Sequence, residues 1–83
     1  MPADNGSLPL TDEVCIRYAR AVHRNARKKH RGAKGPIRDS EAHKILMRLH
    51  SNAQDPGTRR KIAYLAYKCA SNTDEALTAL NVT

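Results

Sequence analysis

Apolar positions along this chain recur with the period of a helix, not of a strand. Val14, Cys15, Tyr18, Ala19, Val22 and Ala26 follow one another at the spacing that lines one side of a helix. Thr11 stands before them as an N-cap, and Asp12 and Glu13 put negative charge where the helix dipole favours it. Leu10 and Cys15 hold the two positions of a hydrophobic staple. A first helix over 11–31 is therefore predicted, ended by Gly32 and by the Gly35-Pro36 pair beyond it. At that length it would be a rod of roughly 30 Å.

A second helix should open at Asp39 or Ser40 and fade at Ser51-Asn52, with Ala42, Ile45, Leu46 and Leu49 as its buried stripe. Asp55-Pro56-Gly57 reads as a turn that also starts a third helix, with Asp55 as cap and Pro56 at the first helical position. This helix runs to about Ala70. Its apolar residues Ile62, Leu65, Ala66 and Cys69, with others off that stripe, predict a central helix. Ser71-Asn72-Thr73 interrupts the pattern and caps a short fourth helix over 74–80, expected to be buried through Leu77 and Leu80. No segment alternates strictly with Val, Ile and Thr, so no strand is predicted, and no repeat or low-complexity tract is present. Residues 1–10, with Pro2, Gly6 and Pro9, read as a flexible arm. The expected architecture is all-α: a compact bundle of three helices plus a short C-terminal fourth, forming one helical domain over 11–83.

Length limits what such a bundle can do. The chain has 83 residues, with three Tyr, no Phe and no Trp, and a chain of this size buries only about 60% of its unfolded surface. A large buried active site and a multi-part cofactor fold are excluded. No stretch approaches the roughly 20 apolar residues of a membrane span. The first residues show neither a basic nor an apolar leader segment, so a cytoplasmic location is expected. Two cysteines, Cys15 and Cys69, do not make a disulfide scaffold, and both fall on apolar faces as buried thiols.

Charge changes the picture more. Fifteen Lys and Arg oppose eight Asp and Glu, a net charge of +7. Arg17, Arg20, Arg24, Arg27 and Arg31 are spaced three, four, three and four apart, so they fall within an arc of roughly 80° along the first helix. No Asp or Glu occurs from Val14 to Arg38, while nine of the fifteen basic residues do, including Lys28, Lys29, Lys34 and Arg38. An ordinary solvated face mixes signs, because opposite charges four apart stabilise by about 0.2–0.5 kcal/mol and like charges cost a similar amount. A polyanion lying along the ridge relieves that repulsion and releases counterions. A plain solubility face is the bland alternative. Arginine forks also suit carboxylates, so an acidic protein surface stays open as a partner. Membrane docking is not expected, since an interfacial helix wants bulky apolar residues and this one offers mostly small ones.

A second basic patch, Arg59, Arg60 and Lys61, opens the third helix, and Tyr64 and Tyr67 share a face with Arg60. Tyrosines beside cations can stack the bases of a single strand; they can equally be a core margin with wet hydroxyls. The second and third helices could form a helix-turn-helix with arginines leading the reading helix. Against this, the connection over 53–57 is longer than that motif prefers. A further candidate over 74–83 stops where a reading helix would begin.

Catalytic chemistry is thin. His23 and His30 are seven apart, as are His43 and His50, which sets their rings roughly 10 Å apart, too far for one metal, and no paired Cys-x-x-Cys is present. Asp39, Glu41, Asp74 and Glu75 sit where caps explain them. Neither an enzyme nor a cofactor is expected. The sequence points to a small basic helical protein that binds nucleic acid, DNA or RNA, through phosphate contacts along the first helix. The alternative is a protein-binding modulator, such as a phage or plasmid accessory factor, docking on an acidic surface of a host complex. Leu8, Leu10 and Val82 fall outside the main stripes, so a homodimer that completes the core is also open.

Overall fold

The computed structural model describes residues 11–32 and 37–82; the N-terminal arm and Lys34 lie outside these. Four helices follow in order: α1 (Asp12–Lys29), α2 (Ser40–Asn52), α3 (Pro56–Lys68) and α4 (Thr73–Asn81). The all-α reading holds. Each helix opens in the same way. Thr11, Asp39, Asp55 and Asn72 are extended N-caps whose side chains accept from the N–H three residues on, satisfying one of the orphan donors of the first turn. Glu75 extends the last cap by accepting from the Ser71 N–H at 2.9 Å. α1 ends two residues earlier than its periodicity suggests, at Lys29 with His30 as C-cap. Gly32 takes φ +89°, the left-handed conformation that glycine adopts without penalty.

Hydrogen bonds between helix ends fix the topology. The Asp12 carboxylate, at the start of α1, accepts from the backbone N–H of Gln54 (3.0 Å) and of Asp55, gripping the turn between α2 and α3. At the other end, the Asp39 N–H donates to the Cys69 carbonyl (3.0 Å) and the His43 Nδ1–H to the Ala66 carbonyl (2.9 Å). α1 and α3 therefore run one way, with α2 antiparallel between them. α4 contacts α3 and α2. Both α2 and α3 touch all three other helices, so the central role expected of α3 is shared.

These contacts bear on the helix-turn-helix reading. Pro56 and Gly57 belong to α3, so the α2–α3 connection is only Ala53–Asp55, short enough for the motif. Geometry decides against it. A helix-turn-helix crosses at about 90–120°, which would hold the far ends of two 13-residue helices roughly 20 Å apart. Here those ends are hydrogen-bonded to each other, and the pair is an antiparallel αα-hairpin.

The core is built from small side chains. Cys15, Ala19 and Ala26 of α1, Ala42, Leu46 and Leu49 of α2, Ile62 and Ala66 of α3, Cys69 and Ala79 are all buried. Leu46, Ile62, Cys15 and Cys69 are the largest side chains fully withdrawn from water. Neither cysteine is in a disulfide.

Several predicted core positions are corrected. Leu77 and Leu80 remain 50% and 49% exposed, and Ala79 is the buried contact of α4; a nine-residue helix lying close to its neighbours buries its small residues and leaves the leucines at the margin. Val14 (42%) and Tyr18 (56%) are likewise exposed, because α1 presents its Cys15–Ala19–Ala26 stripe inward. Ile45, at 38%, sits at the edge of the α2 stripe. In its place α2 buries His43 and His50, which the apolar pattern does not pick out.

Candidate nucleic-acid interface

The ridge divides into two unlike halves. Arg17 lies against Glu13 at 3.3 Å, an exposed pair one helical turn apart, and such pairs contribute little. Arg20 is exposed and lines neither of the two basic grooves described next. Arg24, Arg27, Lys28 and Arg31 stand at the C-terminal end of α1, exposed, with Arg31 just past the helix. Together with His23, His30 and Ile37 they border a shallow groove of about 520 Å³.

A second and larger groove, of about 800 Å³, shares His23, Arg27 and Ile37 with the first. Its other walls are Arg38, from the connection leading into α2, Tyr64, Tyr67 and Lys68 of α3, the α3–α4 connection, and Thr73 and Ala76 of α4. The fold thus brings Arg27 of the ridge to both predicted stacking residues, and adds Arg38 and Lys68. The second patch separates from them. Arg59, Arg60 and Lys61 are exposed at the opposite end of α3 and line neither groove; Arg59 faces α2 closely enough to help hold the His50 imidazole below its usual range.

No carboxylate among the described residues lines either groove. On the other flank of α1, the hollow beside Tyr18 and Val22 is lined by Asp39 and Glu41; Asp39 also bonds to His30 and Glu75 to Ser71, at the backs of the two groove walls. The local bonding explains where the carboxylates went. Asp12 holds the α2–α3 turn, Asp39, Asp55 and Glu75 hold helix starts, and Glu13 faces Arg17. Arg17 and Lys29 are the two described Lys or Arg residues with a described carboxylate within 4.0 Å.

His23 marks the junction of the two grooves. Its Nε2 is buried with no hydrogen-bond partner among the described residues. Burial first, then Lys68 and Arg27, push its pKa below the ordinary histidine value, because each disfavours a further positive charge. The ring is therefore a neutral polar group among cations. Lys68 Nζ lies 5.3 Å from the centroid of the Tyr64 ring, a cation–π contact that covers one ring face. Tyr64 is still 57% exposed and Tyr67 41%.

The sequence places Arg38 only in the acid-free basic stretch and Lys68 only at the border of the tyrosine face; the fold brings both to the groove. They sit 30 positions apart and meet only because α2 folds back along α3. No group of three or more His, Cys, Asp or Glu among the described residues could hold a metal ion, and no described helix is long and apolar enough to cross a membrane. Compared with protein families, curated proteins and solved structures, the chain has no match in any of the three.

Proposed function

We propose that this protein binds nucleic acid through the acid-free face formed by the C-terminal half of α1, Arg38 and the C-terminal end of α3. One observation carries the reading: two adjoining grooves edged by Arg24, Arg27, Lys28, Arg31, Arg38 and Lys68 are lined by no carboxylate among the described residues. Like charges crowded on one face repel at a cost of a few tenths of a kcal/mol per pair. A phosphate backbone removes that cost and displaces condensed counterions, so binding is strong at low salt and falls steeply as salt rises. Such contacts position the protein without reading sequence.

The test is fluorescence anisotropy with labelled duplex DNA, single-stranded DNA and structured RNA, each titrated at several salt concentrations. The reading predicts binding to at least one of them with a log–log salt slope of magnitude about 4, equivalent to roughly four phosphate contacts on a duplex or six on a single strand. Weak binding to all three near physiological salt overturns it. The same cations would then serve an acidic protein surface, and a pull-down from nuclease-treated lysate becomes the informative experiment.

A further inference from the structure

We infer that the larger groove is a base-stacking subsite for single-stranded nucleic acid, in which Tyr64 and Tyr67 hold an unpaired base while Arg27, Arg38 and Lys68 bind the phosphates beside it. The inference rests on the nucleic-acid reading above and names the form of nucleic acid that this part of the face takes.

Tyr64 and Tyr67 stand three residues apart on α3, so both rings project into the same groove, and both remain substantially exposed. Rings at a core margin are mostly covered, with only their hydroxyls in water; Tyr64 and Tyr67 keep about half of their surface in solvent. Lys68 occupies one face of Tyr64, which steadies that ring at the groove wall. Flat aromatic faces beside cations are what a sequence-tolerant single-strand site requires, because every base has a π-face and every nucleotide a phosphate. An open volume of about 800 Å³ falls in the range of sites that hold a small ligand. Bases within a duplex are stacked on one another and cannot enter it. His23, at the groove's junction, lines the floor beside these cations, its Nε2 buried and without a hydrogen-bond partner among the described residues. The absence of any lining carboxylate among the described residues favours a phosphodiester over a peptide of mixed charge.

The chain's own fluorescence provides the readout, since it has three Tyr and no Trp. In a Tyr18→Phe background the emission comes from Tyr64 and Tyr67 alone. An oligothymidylate of roughly 12 nucleotides, within the span of known single-strand sites, is titrated in parallel with inorganic polyphosphate, which offers backbone charge and no base. The expected result is quenching by oligothymidylate and none by polyphosphate. Replacing both rings (Tyr64→Ala with Tyr67→Ala), with affinities for both ligands read by isothermal titration calorimetry because the emitting tyrosines are gone, should weaken oligothymidylate binding about tenfold or more and leave polyphosphate binding unchanged. The Tyr64→Leu, Tyr67→Leu pair, which keeps apolar bulk, should behave as the alanine pair does. Since both rings are exposed, circular dichroism of these variants should match the parent. Oligothymidylate binding without quenching, at an affinity the ring variants share, overturns the subsite and leaves phosphate binding standing. Failure of oligothymidylate, duplex and polyphosphate alike to bind at low salt removes the functional reading and the subsite together.

Discussion

Replacing Asp39 tests how the binding face is held in shape. The carboxylate is only 9% exposed. It accepts from the Ala42 N–H at 3.0 Å and from His30 Nε2 at 3.3 Å, with Lys29 Nζ 3.9 Å away. Asp39 also follows Arg38 directly, so it anchors the connection that brings that arginine to the groove. Asp39→Ala removes the α2 N-cap, a loss of about 1 kcal/mol. It also removes a charge-assisted bond to a partly buried histidine, about another 1 kcal/mol; Lys29 is exposed and adds little. The total is about 2 kcal/mol, or roughly a thirtyfold change in the folding equilibrium. Asp39→Asn keeps an oxygen for Ala42 and should lose about half of that. The backbone bond from Asp39 to Cys69 survives in both variants. Urea melts followed by far-ultraviolet circular dichroism give the ordering directly, and the expected order of stability is Asp, then Asn, then Ala. The Ala42 bond, ahead of His30 and Lys29, holds the Asp39 pKa below its ordinary value. The ionised side chain therefore stabilises the fold above the unfolded-state pKa, and this is lost as pH falls through the folded one. The gap between parent and alanine variant should accordingly narrow in acid. An alanine variant within a few tenths of a kcal/mol of the parent at neutral pH, or an asparagine variant as unstable as the alanine one, would refute the cap as its source.

Other perturbations follow from the same structure. Leu46→Ala empties the largest fully buried position of a core otherwise rich in alanine and should cost about 2–5 kcal/mol, read as a lower urea midpoint or outright loss of the helical signal. Asp12→Ala releases the two turn N–H groups at Gln54 and Asp55; with the site largely exposed, about 1 kcal/mol should be lost, and hydrogen exchange at those two amides should quicken. The His50 imidazole is held below its ordinary pKa, first by burial and then by Arg59, so below pH of about 6.5 the unfolded chain binds the extra proton and stability declines as pH falls toward the folded-state value. His50→Leu should flatten that limb in melts at successive pH values; an unchanged slope would assign the acid sensitivity elsewhere.

The parts of this molecule legible from sequence are those governed by neighbours along the chain. Thr11, Asp39, Asp55 and Asn72 announce helix starts because an N-cap needs a short polar acceptor three residues before its target amide, and Gly32 marks the end of α1 because the turn there needs positive φ. Burial is harder to read. Periodicity gives a face but not its exact centre, so it groups Tyr18 and Val14 with Cys15 and Ala19, and it prefers the leucines of α4 to Ala79. Close helix packing rewards small residues, which a size-weighted reading ranks last. The ridge on α1 is visible as spacing. Its division is not, since Glu13 reaching Arg17 is a local contact while the groove edge at Arg38 and Lys68 depends on α2 lying antiparallel to α3. The tyrosines stand out by their neighbours on α3; that they face Arg27 and His23 is a property of the fold alone. His43 is visible in the sequence only as a titratable side chain, yet it ties α2 to the last turn of α3.

The most direct test of the account compares two triple variants with the same loss of charge. Arg24→Ala, Arg27→Ala and Arg31→Ala strip the acid-free face, whereas Arg17→Ala, Lys44→Ala and Arg59→Ala remove three cations that line neither groove. Measured by anisotropy against single-stranded DNA over a series of salt concentrations, the first triple should lose most of the affinity. Its log–log salt slope should shrink in magnitude by about 2, as expected when three fewer phosphates of a single strand are neutralised. The second triple should keep a slope close to that of the parent. Equal losses in the two variants would show that binding follows net charge alone, and would contradict the assignment of the site to this face.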